Sequence, residues 1–386
     1  MNLGVIAGLA IGLASLGCPD ARVLLGWNTI PGGSEIEAGT SGDASSLEAD
    51  AGDFEPPDAS LDAQEEGMPA PPSCQGTGAG LDNCGAAAES CCTSLPVAGG
   101  SYYRSFQNSG NGPTGEADPA TVSPFRLDKY LVTVGRFRQF VAAWNAGWTP
   151  PAGSGKHSDV NGGAGLINAS GVGYEPGWLA SDDGNIVLTD AALECEGTLV
   201  PDLTPGSRYW TWTPSVGIQE NLPINCVNWD EAYAFCIFDG GFLPSEGELE
   251  YAAVGGSAQS EYPWGTTGPG TMNEYAIYMC YFPNGSGTCS GVQNIAPVGT
   301  ATRGIGLWGQ MDLAGTLWEW TLDWYVSPYV GGTCVNCANL TAGTERSTQG
   351  GNFDTGYSNF SPARHPNAPA DTGAYAYGVR CARSAL

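Results

Sequence analysis

Cations are what this chain has least of. Its 386 residues include two lysines and two histidines, and 13 Lys plus Arg face 40 Asp plus Glu, for a formal charge of −27. A polybasic surface or a lysine-built catalytic cluster is therefore excluded. The negative field repels nucleic-acid phosphate and anionic lipid alike, so no nucleic-acid partner is expected. His157 and His365 lie far apart and form no His-x-x-x-His pair, which leaves no multi-histidine metal centre. Paired CxxC motifs are also missing, since Cys334-Val-Asn-Cys337 has no second half nearby, and zinc is not expected. The apolar run from Leu3 to Gly17 is too short to cross a bilayer.

What is abundant is Gly (58) and Pro (27), against 14% charged residues, which points to a loop-rich fold rather than long helices. Twelve Trp, 16 Tyr and 42% hydrophobic residues suffice for a buried core. Residues 1–18 read as a secretory signal whose end, Ser-Leu-Gly-Cys, resembles a lipobox with Cys18 as the lipidated residue, although the usual basic start is missing. The expected location is exported: a bacterial outer surface or periplasm as a lipoprotein, or secreted, with membrane contact only through the N-terminal lipid anchor. Twelve cysteines remain beyond Cys18, an even number that allows six disulfides in an oxidising compartment.

Residues 19–90 are rich in Ala, Gly, Ser, Pro, Asp and Glu, with Arg22 the only basic residue. Such a stretch buries too little surface to offset its ordering entropy and reads as a disordered acidic linker. Cys74, Cys84, Cys91 and Cys92 suggest that its last part is pinned where the domain begins. Residues 91–386 read as one α+β domain with three short helices. The first is capped by Thr133 and carries Phe137, Phe140, Val141 and Trp144 on one face. Capping-box pairs Asn228/Glu231 and Ser245/Glu248 start the other two, at Trp229–Phe238 and through Ala253, each stopped by a Gly-Gly pair. The remaining segments read as brief strands and long loops.

Seven motifs in order resemble the formylglycine-generating enzyme, or sulfatase-modifying factor, family. They are VAGG and YYRS at 97–105, FRLDKYLVTVGRF at 125–137, LPINCVNWDEAYAFC at 222–236, LPSEGELEYAA at 243–253, YPWG at 262–265, DLAGTLWEW at 312–320, and GGNF at 350–353 with GVRC at 378–381. The resemblance implies an irregular C-type-lectin-like fold with little regular secondary structure. It also implies a disulfide between Cys236 and Cys381. Cys280 with Cys289 and Cys334 with Cys337 are close enough in sequence for local bridges, and the other pairings stay open.

Formylglycine-forming members convert a substrate cysteine to an aldehyde with oxygen and copper, and two cysteines after the glycine pair hold the metal, as soft Cu(I) requires. By resemblance those positions fall on Thr355 and near Phe360, and no cysteine occurs between Cys337 and Cys381. A second branch binds iron through three histidines, which this chain lacks, so neither copper nor iron is expected. The family's calcium site maps onto Asp312, the carbonyls of Gly315 and Leu317, and Glu319, an oxygen set that suits a hard cation. The competing reading is that Asp312 caps a turn while Glu319 pairs with an arginine such as Arg380. A second calcium position matches Asn273, but its acidic ligand is replaced near Ser290.

These implications favour a calcium-stabilised, non-catalytic cell-surface binding module for a peptide, glycan or protein ligand, with loops 148–173 and 329–347 as its face. The alternative is a divergent oxidoreductase-type enzyme working in the old copper cleft, with candidates Asn352, Asp354, Thr355, Arg364, His365 and Arg380. Trp308, Trp318, Trp320, Trp324 and Tyr325 are expected mostly in the core rather than as a stacking platform.

Overall fold

The computed structural model describes residues 70–108, 113–114, 116–195, 208–330, 332–361, 364 and 366–385. The signal, Cys18, the linker as far as 69, and His365 lie outside the described residues.

The architecture is α+β with short strands in several small sheets. Strand β1 (Ser94–Val97) leads to β2 (Gly100–Tyr103), β3 (Pro119–Val122), β4 (Phe125–Asp128) and helix α1 (Val134–Asn145). After the two-residue β5 (Ile167–Asn168) come helices α2 (Trp229–Phe238) and α3 (Glu246–Ala253). The C-terminal part supplies β6 (Trp318–Trp324), β7 (Cys334–Val335), β8 (Cys337–Ala338), β9 (Glu345–Gln349), β10 (Asn367–Pro369), β11 (Tyr377–Gly378) and β12 (Ala382–Ser384). The largest sheet runs β10-β9-β6-β11, with Thr348 opposite Trp320. A second sheet, β1-β4-β12, brings the two ends of the domain together, with Ala382 opposite Leu127. Two smaller sheets join β2-β3-β7 and β8-β5.

The three helices form where their capping residues place them. The Thr133 hydroxyl accepts from the Arg136 amide, and Val134, Phe137, Phe140 and Val141 face the core. Both capping boxes close reciprocally, satisfying amides that a helix start leaves open. Helix α2 is buried almost all round, so its caps, not an amphipathic stripe, mark it in the sequence. It packs against α1 through stacked Phe137 and Phe235, with ring centroids 5.5 Å apart, and over Trp320 of β6.

Six disulfides staple the described residues: Cys74–Cys92, Cys84–Cys91, Cys195–Cys226, Cys236–Cys381, Cys280–Cys289 and Cys334–Cys337. Cys195–Cys226 had no sequence signal. Six bridges point to an oxidising, extracytoplasmic compartment. Among the described residues no helix is long and apolar enough to cross a membrane. The packed body begins before the boundary read at 91. Ser73, Leu81 and Cys84 are buried, the Ser73 amide donates to Asp239 Oδ1 (3.1 Å), and Arg136 Nε donates to Ser73 Oγ (3.0 Å). The sparse apolar content of 70–90 concealed this, because disulfides and a buried polar cluster hold the segment in place of hydrophobic area.

Candidate functional site

The segment after β9 is where the resemblance places the reaction centre. Gly350 and Gly351 turn the chain with φ of 97° and 81°, values that suit glycine, and a Cβ on Gly350 would stand 3.2 Å from the Leu313 carbonyl. Asn352 and Thr355 then close a tight turn on each other. The Asn352 amide donates to Thr355 Oγ1 (3.1 Å), and the Thr355 amide donates to Asn352 Oδ1 (3.0 Å). Two further bonds dock the turn onto a neighbouring loop, from Cys280 N to the Phe353 carbonyl (2.7 Å) and from Met279 N to the Thr355 carbonyl (3.2 Å).

Neither position matched to the family's thiols is free for chemistry. The Thr355 hydroxyl is engaged inside the turn, bonding the Asn352 carbonyl as well. Phe360 is buried with Tyr262, Ala276, Tyr278 and Ala314, its ring 5.1 Å from that of Tyr278. Every cysteine among the described residues is in a disulfide, and Cys334–Cys337 sits in the strands beside β3 and β5. No soft ligand pair therefore stands at Thr355 and Phe360.

The other cleft candidates separate. Asp354 accepts a hydrogen bond from the Tyr375 hydroxyl (2.8 Å), and burial raises the pKa of both groups. Arg364 is exposed on the same loop, and His365 lies outside the described residues. Arg380 is not in a cleft at all, contrary to its inclusion among the candidates. It is fully buried, and all five of its N–H groups are used, on both oxygens of Glu319 (2.8 and 2.9 Å) and on the carbonyls of Asp128, Lys129 and Met311. Its ion pair with Glu319 is the one named in the competing reading of the calcium positions, because a buried guanidinium demands a carboxylate.

That pair bears directly on the calcium expectation. Asp312 is buried in a left-handed turn (φ 60°) and accepts from the Gly299 amide at 2.7 Å. Burial pushes its carboxyl up to about 6, against the pull of Arg380, and nearby Glu319 adds to the rise. Burial also raises Glu319, again opposed by Arg380. Arg380 bonds Glu319 directly and reaches Asp312 only through its charge, which is the ion-pair arrangement given above as the competing reading; the two carboxylates with the carbonyls of Gly315 and Leu317 are an oxygen set of the type a hard divalent cation takes. Each Glu319 oxygen bonded to Arg380 retains a lone pair for such an ion. Among the described residues no group of three or more His, Cys, Asp or Glu is placed to hold a metal. At the second position Asn273 Oδ1 is buried without a partner, while the Ser290 amide and hydroxyl both turn to Asn294.

Of the five aromatic residues expected mostly in the core, Trp320 is buried, while Trp308, Trp318, Trp324 and Tyr325 are half-buried. Trp320 is fully buried and donates to the Val227 carbonyl (3.0 Å), and Trp308 stacks on Tyr251. Arg346 lies between the rings of Trp324 and Trp229, 3.6 and 3.4 Å from their centroids. Sequence reasoning missed a different aromatic group. Tyr262 and Trp264 stack nearly parallel at 5.2 Å, Tyr275 lies 5.5 Å from Trp264, and Tyr278 contacts both Tyr281 and Phe360. Burial raises the Tyr262 hydroxyl to about 12, helped by Glu261, Tyr357 and Tyr278, which places half-exposed Tyr357 at the same face. The recurrence of Tyr at 275, 278 and 281 was the available signal.

Residues 83–385 match the family described as the sulfatase-modifying factor enzyme 1-like domain, and the chain belongs to that family. It is 29% identical to a formylglycine-generating enzyme of Thermomonospora curvata, over 75% of this chain and 90% of the relative. It is 31% identical to the inactive C-alpha-formylglycine-generating enzyme 2 of Bos taurus, over 56% of this chain and 64% of that protein. Among solved structures it is similar to PvdO from Pseudomonas aeruginosa, with 16% identity, a TM-score of 0.47, and coverage of 80% of this chain and 100% of that one.

Proposed function

We propose that this protein is a non-catalytic binding module of the family, exported and tethered through Cys18, which presents a peptide-, glycan- or protein-binding face. The observation that carries the reading is the fate of the two thiol positions: Thr355 closes its own turn, and Phe360 anchors an aromatic cluster. Hydroxyl and phenyl groups do not replace thiolates toward a soft metal ion. A relative bearing the description inactive is consistent with a scaffold retained after its reaction is lost. Tyr262, Trp264, Tyr275 and Tyr357, beside the former reaction centre, supply ring faces for a ligand. Calcium held by Asp312, Glu319 and the Gly315 and Leu317 carbonyls would brace the loop beneath that face.

The test incubates the oxidised protein with a cysteine-bearing sulfatase-motif peptide, oxygen and cuprous ion. The peptide mass should stay unchanged. A product whose cysteine thiol has been replaced by an aldehyde would refute the reading. The rival, a divergent oxidoreductase-type enzyme, draws on half-buried Asp354 and its Tyr375 partner. Metal analysis separates the two, since stoichiometric copper or iron in purified protein would favour the enzyme.

A further inference from the structure

Beneath the strap 326–330, which leaves the end of β6, lies a second cluster of buried titratable groups. Helix α3 contributes Glu246 and Glu250, β6 contributes Asp323, and β2 with its continuation contributes Tyr102 and Arg104; all five are buried. Their contacts interlock. The Tyr102 hydroxyl donates to the Gly247 carbonyl (2.8 Å) and to Glu250 Oε2 (3.2 Å). Asp323 accepts the Glu246 amide on Oδ2 (2.7 Å) and the Asn339 amide on Oδ1 (2.6 Å). Glu246 Oε1 accepts from the Tyr329 hydroxyl (3.1 Å) and from Gln349 Nε2 (3.3 Å). Glu250 Oε1 and Arg104 Nη2 are buried with no hydrogen-bond partner among the described residues.

Tyr329 fastens the strap to this cluster. Ser327, Pro328 and Val330 are exposed, whereas the Tyr329 hydroxyl reaches Glu246 and its ring centre lies 4.2 Å from the Arg104 guanidinium. Burial, and after it Glu246, pushes the Asp323 carboxyl up to about 7, against the pull of its two amides and of Arg104. Burial and Glu246 likewise hold Glu250 well above the usual carboxylate range, opposed by Arg104 and the Tyr102 hydroxyl, while Asp118 adds to the rise. From β9, Arg346 also interacts with Asp323, but it is clamped between Trp229 and Trp324 and its largest charge partner is Asp230. The covered Asp323 therefore keeps its proton close to neutrality, whereas a hydrated aspartate loses it at about 4. Ionising Asp323 in place adds negative charge beside Glu246 in low dielectric, and admitting water relieves that strain.

We propose that Tyr329 and the cluster of Glu246, Glu250 and Asp323 form a pH-sensitive latch, which holds the strap 326–330 down in mildly acidic solution and loosens it as Asp323 gives up its proton. The sign follows from linkage: the closed form binds the proton more tightly than the open, hydrated form, so opening grows as pH rises from about 4 to about 7 and levels off above. The strap runs into the loop 329–347, one of the two expected on the binding face, so the latch sets how that loop is presented. Failure of the latch would leave the binding-module reading intact, because that reading rests on Thr355 and Phe360.

The experiment follows amide hydrogen exchange of the full chain by mass spectrometry from pH 5 to pH 8, corrected for intrinsic exchange rates and referred to a peptide from buried helix α2, so that global changes cancel. Protection of 326–330 should fall at least about tenfold from pH 5 to pH 7 and then level off, since each pKa unit between closed and open forms is a factor of ten in opening. Asp323→Asn should flatten that profile. Glu246→Gln, which keeps an acceptor for the Tyr329 hydroxyl, should shrink the fall, because the largest charge acting on Asp323 is gone; it decides the matter alone if Asp323→Asn does not fold. Tyr329→Phe should lower protection of the strap already at pH 5. Wild-type protection of 326–330 that does not change with pH, or a fall that persists undiminished in Glu246→Gln, would overturn the proposal.

Discussion

Replacing Arg380 with methionine removes the guanidinium that ties β6 and the end of β4 to the C-terminal strands, and its cost can be worked from contacts. The side chain is completely buried and makes five hydrogen bonds, two of them to the oxygens of Glu319, itself 1% exposed. The variant leaves Glu319 and three backbone carbonyls without these donors. Breaking a buried ion pair from one side costs roughly 3–5 kcal/mol, chiefly because the surviving charge stays in low dielectric. Burial already raises the carboxyls of Asp312 and Glu319, and Arg380 opposes the rise in both, so removing the guanidinium leaves that burial unopposed. Equilibrium unfolding in guanidinium chloride with disulfides intact should therefore show a loss in that range. Arg380→Met combined with Glu319→Leu should recover much of the loss, because no charge is then stranded. A single variant costing under about 1 kcal/mol, or a double variant no more stable than the single, would refute this account of the centre.

Three further outcomes follow from the same structure. Burial raises Asp323 and Glu231 to about 7 and Asp230 and Asp312 to about 6, so the fold favours their neutral forms; stability from these groups is full below the unfolded values and lost as pH rises through 6 to 7, and the melting temperature should be higher at pH 5 than at pH 8. Removing Cys236–Cys381 with paired alanines, which opens a loop of sequence separation 145, should cost up to about 5 kcal/mol by the loop-closure argument, less where the internal bridges already restrict the unfolded chain, as read by denaturant midpoint. Millimolar calcium should raise the melting temperature of protein stripped with chelator, and Asp312→Ala should abolish that rise; an unchanged melting curve with and without calcium would remove the ion from the proposal.

Much of the frame was readable because caps and turns are local. Thr133, Asn228 with Glu231, and Ser245 with Glu248 each marked a helix start that the structure keeps. The bridges Cys280–Cys289 and Cys334–Cys337 followed from short spacing, whereas Cys195–Cys226 joins two loops whose approach depends on the whole fold. That no cysteine stands between Gly351 and Cys381 could be read without coordinates. What filled the gap could not. Phe360 meets Tyr278 across a long stretch of sequence, and Arg126 meets Arg383 across most of the domain, pairings that no local pattern encodes. Arg380 illustrates the same limit, because only burial decides between a cleft residue and an ion-pair partner.

The staples also determine how the domain answers tension along its backbone. A pull entering at residue 70 and leaving at 385 bypasses the segments closed by Cys74–Cys92, Cys195–Cys226 and Cys236–Cys381, with sequence separations of 18, 31 and 145, because load follows the sulfur links. Only the stretches between those shortcuts can unravel. Helix α3, β6 and the entire 350–360 turn sit inside the largest bypass, mechanically shielded however hard the ends are drawn apart.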